Sequence, residues 1–173
     1  MCIRDRLLTI KTIVVYLILV LFLIDLAKAD SYNKIARIIK ILLFPLLLLF
    51  NVHYKKINIG LLFAALLINF ISFYILLPGY DLGTLVNFSI FQTAKMLIGL
   101  LKFVVIIGVV LSWFYAFGAN FYNSATSLIQ EVYETTVSIF RNIIPPTAGF
   151  DLSPLIAFFA VSYTHLRAHE TQR

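Results

Sequence analysis

The chain has 173 residues, of which 61% are hydrophobic and 13% charged, and its mean hydropathy is +0.96. A globular chain carries about 25% charged residues, so this composition excludes an ordinary water-soluble domain and points to lipid as the solvent. The formal charge of +6 implies no nucleic-acid partner, because the Lys and Arg residues lie between apolar runs, where anionic headgroups attract them.

The two ends differ from what lies between them. Met1-Cys2-Ile3-Arg4-Asp5-Arg6 and Ser162 to Arg173 resemble conceptual translations of a sequencing adapter. Residues 1–6 and 162–173 are therefore read as artefactual ends that make few contacts with the rest. His165 and His169 are four apart, but two histidines fall short of a closed metal shell. Cys2 is the only cysteine, which excludes a disulfide framework and a thiolate metal site. Without Arg4, Arg6, Arg167 and Arg173, ten basic residues remain; without Asp5 and Glu170, six acidic ones remain.

The first span is expected over residues 8–26, near the roughly 20 residues needed to cross a bilayer. No convincing small-residue cleavage site follows Asp25, so this run reads as a helix rather than a signal peptide. Lys11 sits near one end of the span and is expected to snorkel. From Asn33 to Phe50, Lys34, Arg37 and Lys40 recur at helical spacing among apolar residues, and Pro45 interrupts the run; this suits a helix lying in the interface. A second span is expected over 57–77, ended by Pro78-Gly79. A connecting loop over 78–92 leads to a third span over 93–117, which closes on an aromatic belt of Trp113, Phe114 and Tyr115.

A second amphipathic helix, expected over 124–144, should lie flat. Ser127, Glu131, Glu134, Ser138 and Arg141 form one face, and Ile129, Val132, Thr136, Phe140 and Ile143 the other. Pro145-Pro146-Thr147-Ala148-Gly149 breaks the chain. Ser153 is then placed as an N-cap with Pro154 at the first helical position, opening a fourth, truncated span from 152. Asp151 could accept backbone N–H bonds at that turn. The fold class is all-α: a polytopic membrane helix bundle of about four spans with two interfacial amphipathic helices.

A shift of 90 residues superposes Tyr32-Asn33 on Tyr122-Asn123, Val20-Leu21 on Val110-Leu111 and Ala29 on Ala119. The chain thus reads as a tandem parallel repeat, residues 7–77 and 93–161, each half a span, an amphipathic helix and a second span. The second half carries Leu111-Ser112-Trp113, Tyr122-Asn123, Arg141-Asn142-Ile143-Ile144-Pro145-Pro146 and Gly149-Phe150-Asp151-Leu152-Ser153-Pro154. These blocks and their spacing resemble the YggT family of bacterial membrane proteins, in its two-repeat form, over roughly Leu7 to Val161. Within that pattern Pro145, Gly149, Asp151, Ser153 and Pro154 form the family-motif turn. Thr135 replaces a usual proline, Ser138 and Asn142 replace arginines, and Asn58 stands where an aspartate is common. The resemblance implies a bacterial plasma (inner) membrane location and a role tied to ion or osmotic homeostasis or to membrane-linked assembly or division.

Catalysis is not expected: within the spans Lys102 is the clearly ionisable group, and no histidine, cysteine or paired carboxylate accompanies it. No cofactor or metal is expected either. A small channel or transporter would rest on Lys102, Asn69, Ser72 and Asp151. Against it, Lys102 can snorkel toward Lys95, Asn69 and Ser72 suit interhelical hydrogen bonding, and Gly108-x-x-x-Ser112 suits close packing. A non-catalytic scaffold or assembly factor acting through interfacial helices is favoured, with Lys34, Arg37, Lys40 and Arg141 as membrane-surface contacts. Its partners would be the bilayer, anionic lipid headgroups and a membrane-protein partner or a second copy. Lys28, Lys34, Arg37, Lys40, Lys55, Lys56 and Arg141 fall on one side and Lys11, Lys95 and Lys102 on the other. That balance predicts cytoplasmic amphipathic helices and extracytoplasmic termini.

Overall fold

A computed structural model describes residues 3–28, 33–50, 52–54, 57–118 and 123–141. The fourth span, the turn holding Pro145, Gly149, Asp151, Ser153 and Pro154, the tail with His165 and His169, and Lys55 and Lys56 lie outside the described residues. The architecture is all-helical apart from one short hairpin. In chain order it comprises α1 (Ile3–Leu26), α2 (Lys34–Leu42), α3 (Phe44–Phe50), β1 (His53–Tyr54), β2 (Ile57–Asn58), α4 (Ile59–Leu76), α5 (Leu82–Ala116) and α6 (Ser124–Arg141). Three of these helices, α1, α4 and α5, are long and apolar enough to cross a membrane.

Helix α1 takes in Ile3 to Arg6, with Arg6 exposed, and buries Val15, Ile18, Leu19 and Phe22 at i, i+3, i+4, i+7 spacing, together with Leu21, Leu23 and Ile24. Against this stripe α4 turns a face of small residues: Gly60, Ala64 and Ala65 are buried beside Leu61. Small side chains let two backbones approach closely in lipid, where no hydrophobic force draws helices together. Gly60 also closely approaches the backbone at the end of α3. A Cβ there would collide with the carbonyl oxygen of Phe50 and come within 2.7 Å of its carbon and 2.9 Å of the Val52 nitrogen. The Gly60 N–H donates to the Val52 carbonyl at 3.1 Å, tying the start of α4 to the chain leaving α3.

The expected interfacial helix over 34–50 is two helices. Leu43 ends α2, its N–H donating to Ile39 O at 3.0 Å, and α3 begins at Phe44. Pro45 falls in the first turn of α3, where its missing N–H costs nothing. The second difference is at α5. The connecting loop expected over 78–92 shrinks to the turn around Pro78 and Gly79, because Asp81 caps the helix from Leu82, its Oδ2 accepting from Gly83 N at 2.9 Å. The added turns are structural: Leu85, Ser89, Thr93 and Met96 make one buried stripe against α4. At 35 residues, α5 is about 52 Å long, more than the roughly 30 Å hydrocarbon core. Trp113 and Phe114 near its end, and Phe117 just after it, are exposed.

Helix α6 packs on α5 and also touches α1 and α2. Among the described side chains its buried face is Leu128, Val132, Tyr133 and Val137, rotated from the expected Ile129, Val132 and Thr136; the side chains of Phe140 and Ile143, also expected on that face, lie outside the described residues. The rotation has a cause in Gly108: a Cβ there would run into the Tyr133 ring, so the missing side chain is the seat of that ring. The starts of α2 and α6 meet, as Asn33 Nδ2 donates to Ser124 O at 2.7 Å, so the two helices share one side of the bundle.

Candidate functional site

Two arrangements hold the polar residues that a lipid-embedded bundle must justify. The first lies inside it. Lys11, on α1, donates from Nζ to Asn69 Oδ1 at 3.0 Å; Asn69, fully buried on α4, donates from Nδ2 to Thr93 Oγ1 at 2.9 Å. Thr93, on α5, donates in turn to Ser89 O at 2.8 Å, and Ser89 Oγ donates to Leu85 O at 2.7 Å. Every bond runs in the same direction, from the ammonium to the backbone of α5. An amide suits the central position because it accepts and donates at once, and each unmade bond in hydrocarbon would cost several kcal/mol, roughly.

The Lys11 ammonium also stands 5.4 Å from the centre of the Phe73 ring, within cation–π range. Lys11 is eight residues after the start of α1 (11 − 3), which is about 12 Å along the helix axis. The side chain expected to snorkel meets Asn69 and Phe73 of α4. The expectation for Asn69 fits what is seen, an amide joining three helices. Lys102 is half-buried further along α5 and not part of this chain of bonds, and Ser72 is half-buried on α4. Lys11 is the one titratable group in it, so the chain can fasten helices and orient an ammonium.

The second arrangement is on the surface. Asn33 caps α2, its Oδ1 accepting from Ile35 N at 3.0 Å. Ala36 is buried with Ile24 of α1 and Leu128 of α6, and Ile35 and Ile39 pack on that cluster. Docked by this face, α2 leaves Lys34 and Arg37 exposed, with Ile38, Ile41 and Leu42 exposed beside them. Exposed Phe44, Leu48 and Leu49 of α3 extend the apolar strip. A helix with cations on one flank and uncovered aliphatic side chains on the other matches the headgroup–acyl boundary. Lys40 is half-buried and turns into a cleft with Asp25 of α1 and Asn58. Arg141 is the last residue of α6, away from this cluster in sequence, and its side chain lies outside the described residues.

Asn33 and Thr93 join the site residues expected from the sequence. The signal for Asn33 was available, an Asn directly before a helical-period run. For Thr93 it was the stripe with Leu85, Ser89 and Met96, hidden by placing the span's start at 93.

The family model described as CCB3/YggT matches residues 87–166, the half that carries Thr93, Gly108 and Tyr133. The chain is also similar to a protein of Pseudomonas aeruginosa named uncharacterized protein PA0392, with 30% identity over 163 residues, covering 88% of this chain and 81% of that one. No solved structure matches.

Proposed function

The chain belongs to the CCB3/YggT family, an integral membrane protein by its apolar helices, and on that premise we propose that it is a non-catalytic scaffold of the bacterial inner membrane. It crosses the membrane several times and acts at the cytoplasmic surface through α2. The observation that carries this reading is the way α2 is held: anchored by Asn33, Ala36 and Ile39, it presents Lys34 and Arg37 outward together with uncovered aliphatic side chains. Anionic headgroups and a membrane-protein partner or second copy are the surfaces it meets.

A flat α6 is supported by heights. Lys11 and Thr93 both bond Asn69, so α1 and α5 run side by side with an offset of 82 (93 − 11). At that offset Ile24 stands level with residue 106, close to Gly108. Helix α6 packs Leu128 in the cluster of Ile24 and Tyr133 on Gly108, so it meets both helices at nearly one height.

The tandem duplication is supported in the same way. Helices α1 and α5 end 90 residues apart (116 − 26), and α2 and α6 begin 90 apart (124 − 34). The endings match bond for bond. Lys28 N donates to Asp25 O and Gly118 N to Tyr115 O, with positive φ at Lys28 and Gly118. Asn33 and Asn123 cap the following helices, each accepting from the N–H two residues on.

Orientation is tested with single cysteines at Lys55 and Asp81 in a Cys2→Ser background, using an impermeant thiol reagent on intact cells. Position 81 should label and position 55 should not. The opposite pattern would overturn the cytoplasmic reading of α2. Ion conduction is the competing function, favoured by the Lys11–Asn69–Thr93 chain, but its members bond one another across three helices rather than facing a channel.

A further inference from the structure

We propose that α2 and α3 form a wedge in one leaflet of the bilayer, through which the protein recognises membrane curvature and gathers where the leaflet holding α2 is convex. The proposal rests on the reading of α2 as an interfacial helix and names the kind of lipid surface that it meets. Both helices sit at one end of the bundle. Ala36 of α2 is buried with Ile24 near the end of α1, and the Phe50 carbonyl at the end of α3 lies against Gly60 at the start of α4. At the other end α4 and α5 are joined by the short stretch from Leu77 to Asp81, and the described residues place no further helix there.

The asymmetry has a size. Helix α2 has 9 residues and α3 has 7; at about 1.5 Å per residue and a diameter of about 10 Å they cover about 240 Å² of one leaflet. Among the described residues this area has no counterpart at the far end. A segment that takes up area in one leaflet alone is favoured when that leaflet bends outward, because bending spreads the headgroups and uncovers acyl surface for apolar side chains to meet.

The composition of the exposed flank makes it answer to acyl surface more than to headgroup charge. Ile38, Ile41 and Leu42 of α2 and Phe44, Leu48 and Leu49 of α3 are exposed, against two exposed cations, Lys34 and Arg37. Membrane attachment of such a helix scales with the apolar area it buries, with electrostatic attraction added to it. Six large apolar side chains against two cations make burial the stronger force, and a convex leaflet offers that burial most readily. The spans hold the chain in the bilayer whatever its shape, so the wedge does not decide whether the protein is in the membrane. It decides which shape of membrane, and which orientation within it, is favoured.

The test is orientation in vesicles of two sizes. The full-length chain carrying Asp81→Cys and Cys2→Ser is reconstituted into small, sonicated and large, extruded vesicles of phosphatidylcholine, and an impermeant thiol reagent is applied before and after detergent. Position 81 is protected when α2 lies in the outer, convex leaflet. The ratio of protected to labelled chains should be about fourfold higher in the small vesicles than in the large, equivalent to about 0.8 kcal/mol. Adding Ile41→Ser and Leu49→Ser, at positions 67% and 78% exposed and so free of core packing, should erase that difference. Ile38→Ser alone should lower it and provides the answer if the paired change does not fold. Ile75→Ser, the same loss of an exposed side chain at the far end of α4, should leave it unchanged. An equal ratio in both vesicle sizes would overturn the proposal, as would a lower ratio in the small ones or a difference that persists with Ile41→Ser and Leu49→Ser. Thiol labelling at positions 55 and 81 in intact cells reads the side on which α2 lies independently, so the curvature response can fail while the surface reading stands.

Discussion

Replacing Gly60 with alanine should destabilise the bundle by about 3 kcal/mol, at the upper end of the overpacking range, and lower the unfolding temperature in detergent accordingly. The added methyl would meet backbone, the carbonyl oxygen of Phe50 together with its carbon and the Val52 nitrogen, and a backbone atom cannot rotate aside as a side chain can. Relief requires the junction between α3 and α4 to open, which also strains the Gly60 to Val52 hydrogen bond. Gly99 is the internal control, since a Cβ there meets nothing within 4 Å. Gly99→Ala should be neutral or stabilising by up to about 1 kcal/mol, the helix propensity gain. If the two substitutions shift unfolding equally, the close approach at Gly60 is wrong.

Asn69→Leu is the other large change, expected to cost about 2–4 kcal/mol. Interhelical hydrogen bonds in membranes are individually modest, about 0.6 kcal/mol on average. The substitution, however, strands an ammonium within the bundle as well as removing two bonds, and an abandoned charged donor costs more than a lost neutral pair. The sign of the coupling is the sharper prediction. Adding Lys11→Met to Asn69→Leu should recover part of the loss, because replacing both partners by apolar groups removes the stranded charge. A double variant as unstable as the sum of the singles would mean that Lys11 and Asn69 do not act together.

The spans were legible because hydrophobic run length is a strong signal in lipid: α1 and α4 begin and end within a few residues of where the sequence puts them. The start of α5 was not. Gly83, Thr84, Asn87, Ser89 and Gln92 lower the hydropathy of residues 82–92, and a reading by apolar content puts them in a loop. The helix there is specified by the Asp81 cap and by the Leu85, Ser89, Thr93 and Met96 stripe. The amphipathic character of α2 was plain from Lys34, Arg37 and Lys40, but its division from α3 depended on where Pro45 would sit in a helix. The inward face of α6 escaped because the strongest contact is a notch and a ring, Gly108 and Tyr133, on different helices.

The polar chain shows a similar limit. Asn69 is recognisable as interhelical glue from its place in an apolar run. That Lys11 is its partner depends on the register of α1 against α4, which apolar periodicity alone leaves free in a membrane. Snorkelling is the natural expectation for a lysine near a helix end, and the amide and aromatic ring that Lys11 meets on α4 have no signature in the sequence of α1.

The scaffold reading is tested most directly by ion flux through the full-length chain reconstituted in liposomes, with potassium, sodium and proton gradients read in turn. The proposed role predicts flux at the level of protein-free vesicles for the wild type and for Lys11→Met alike. Flux above that level, lost in Lys11→Met, would contradict it and make the Lys11–Asn69–Thr93 chain part of a conduction path.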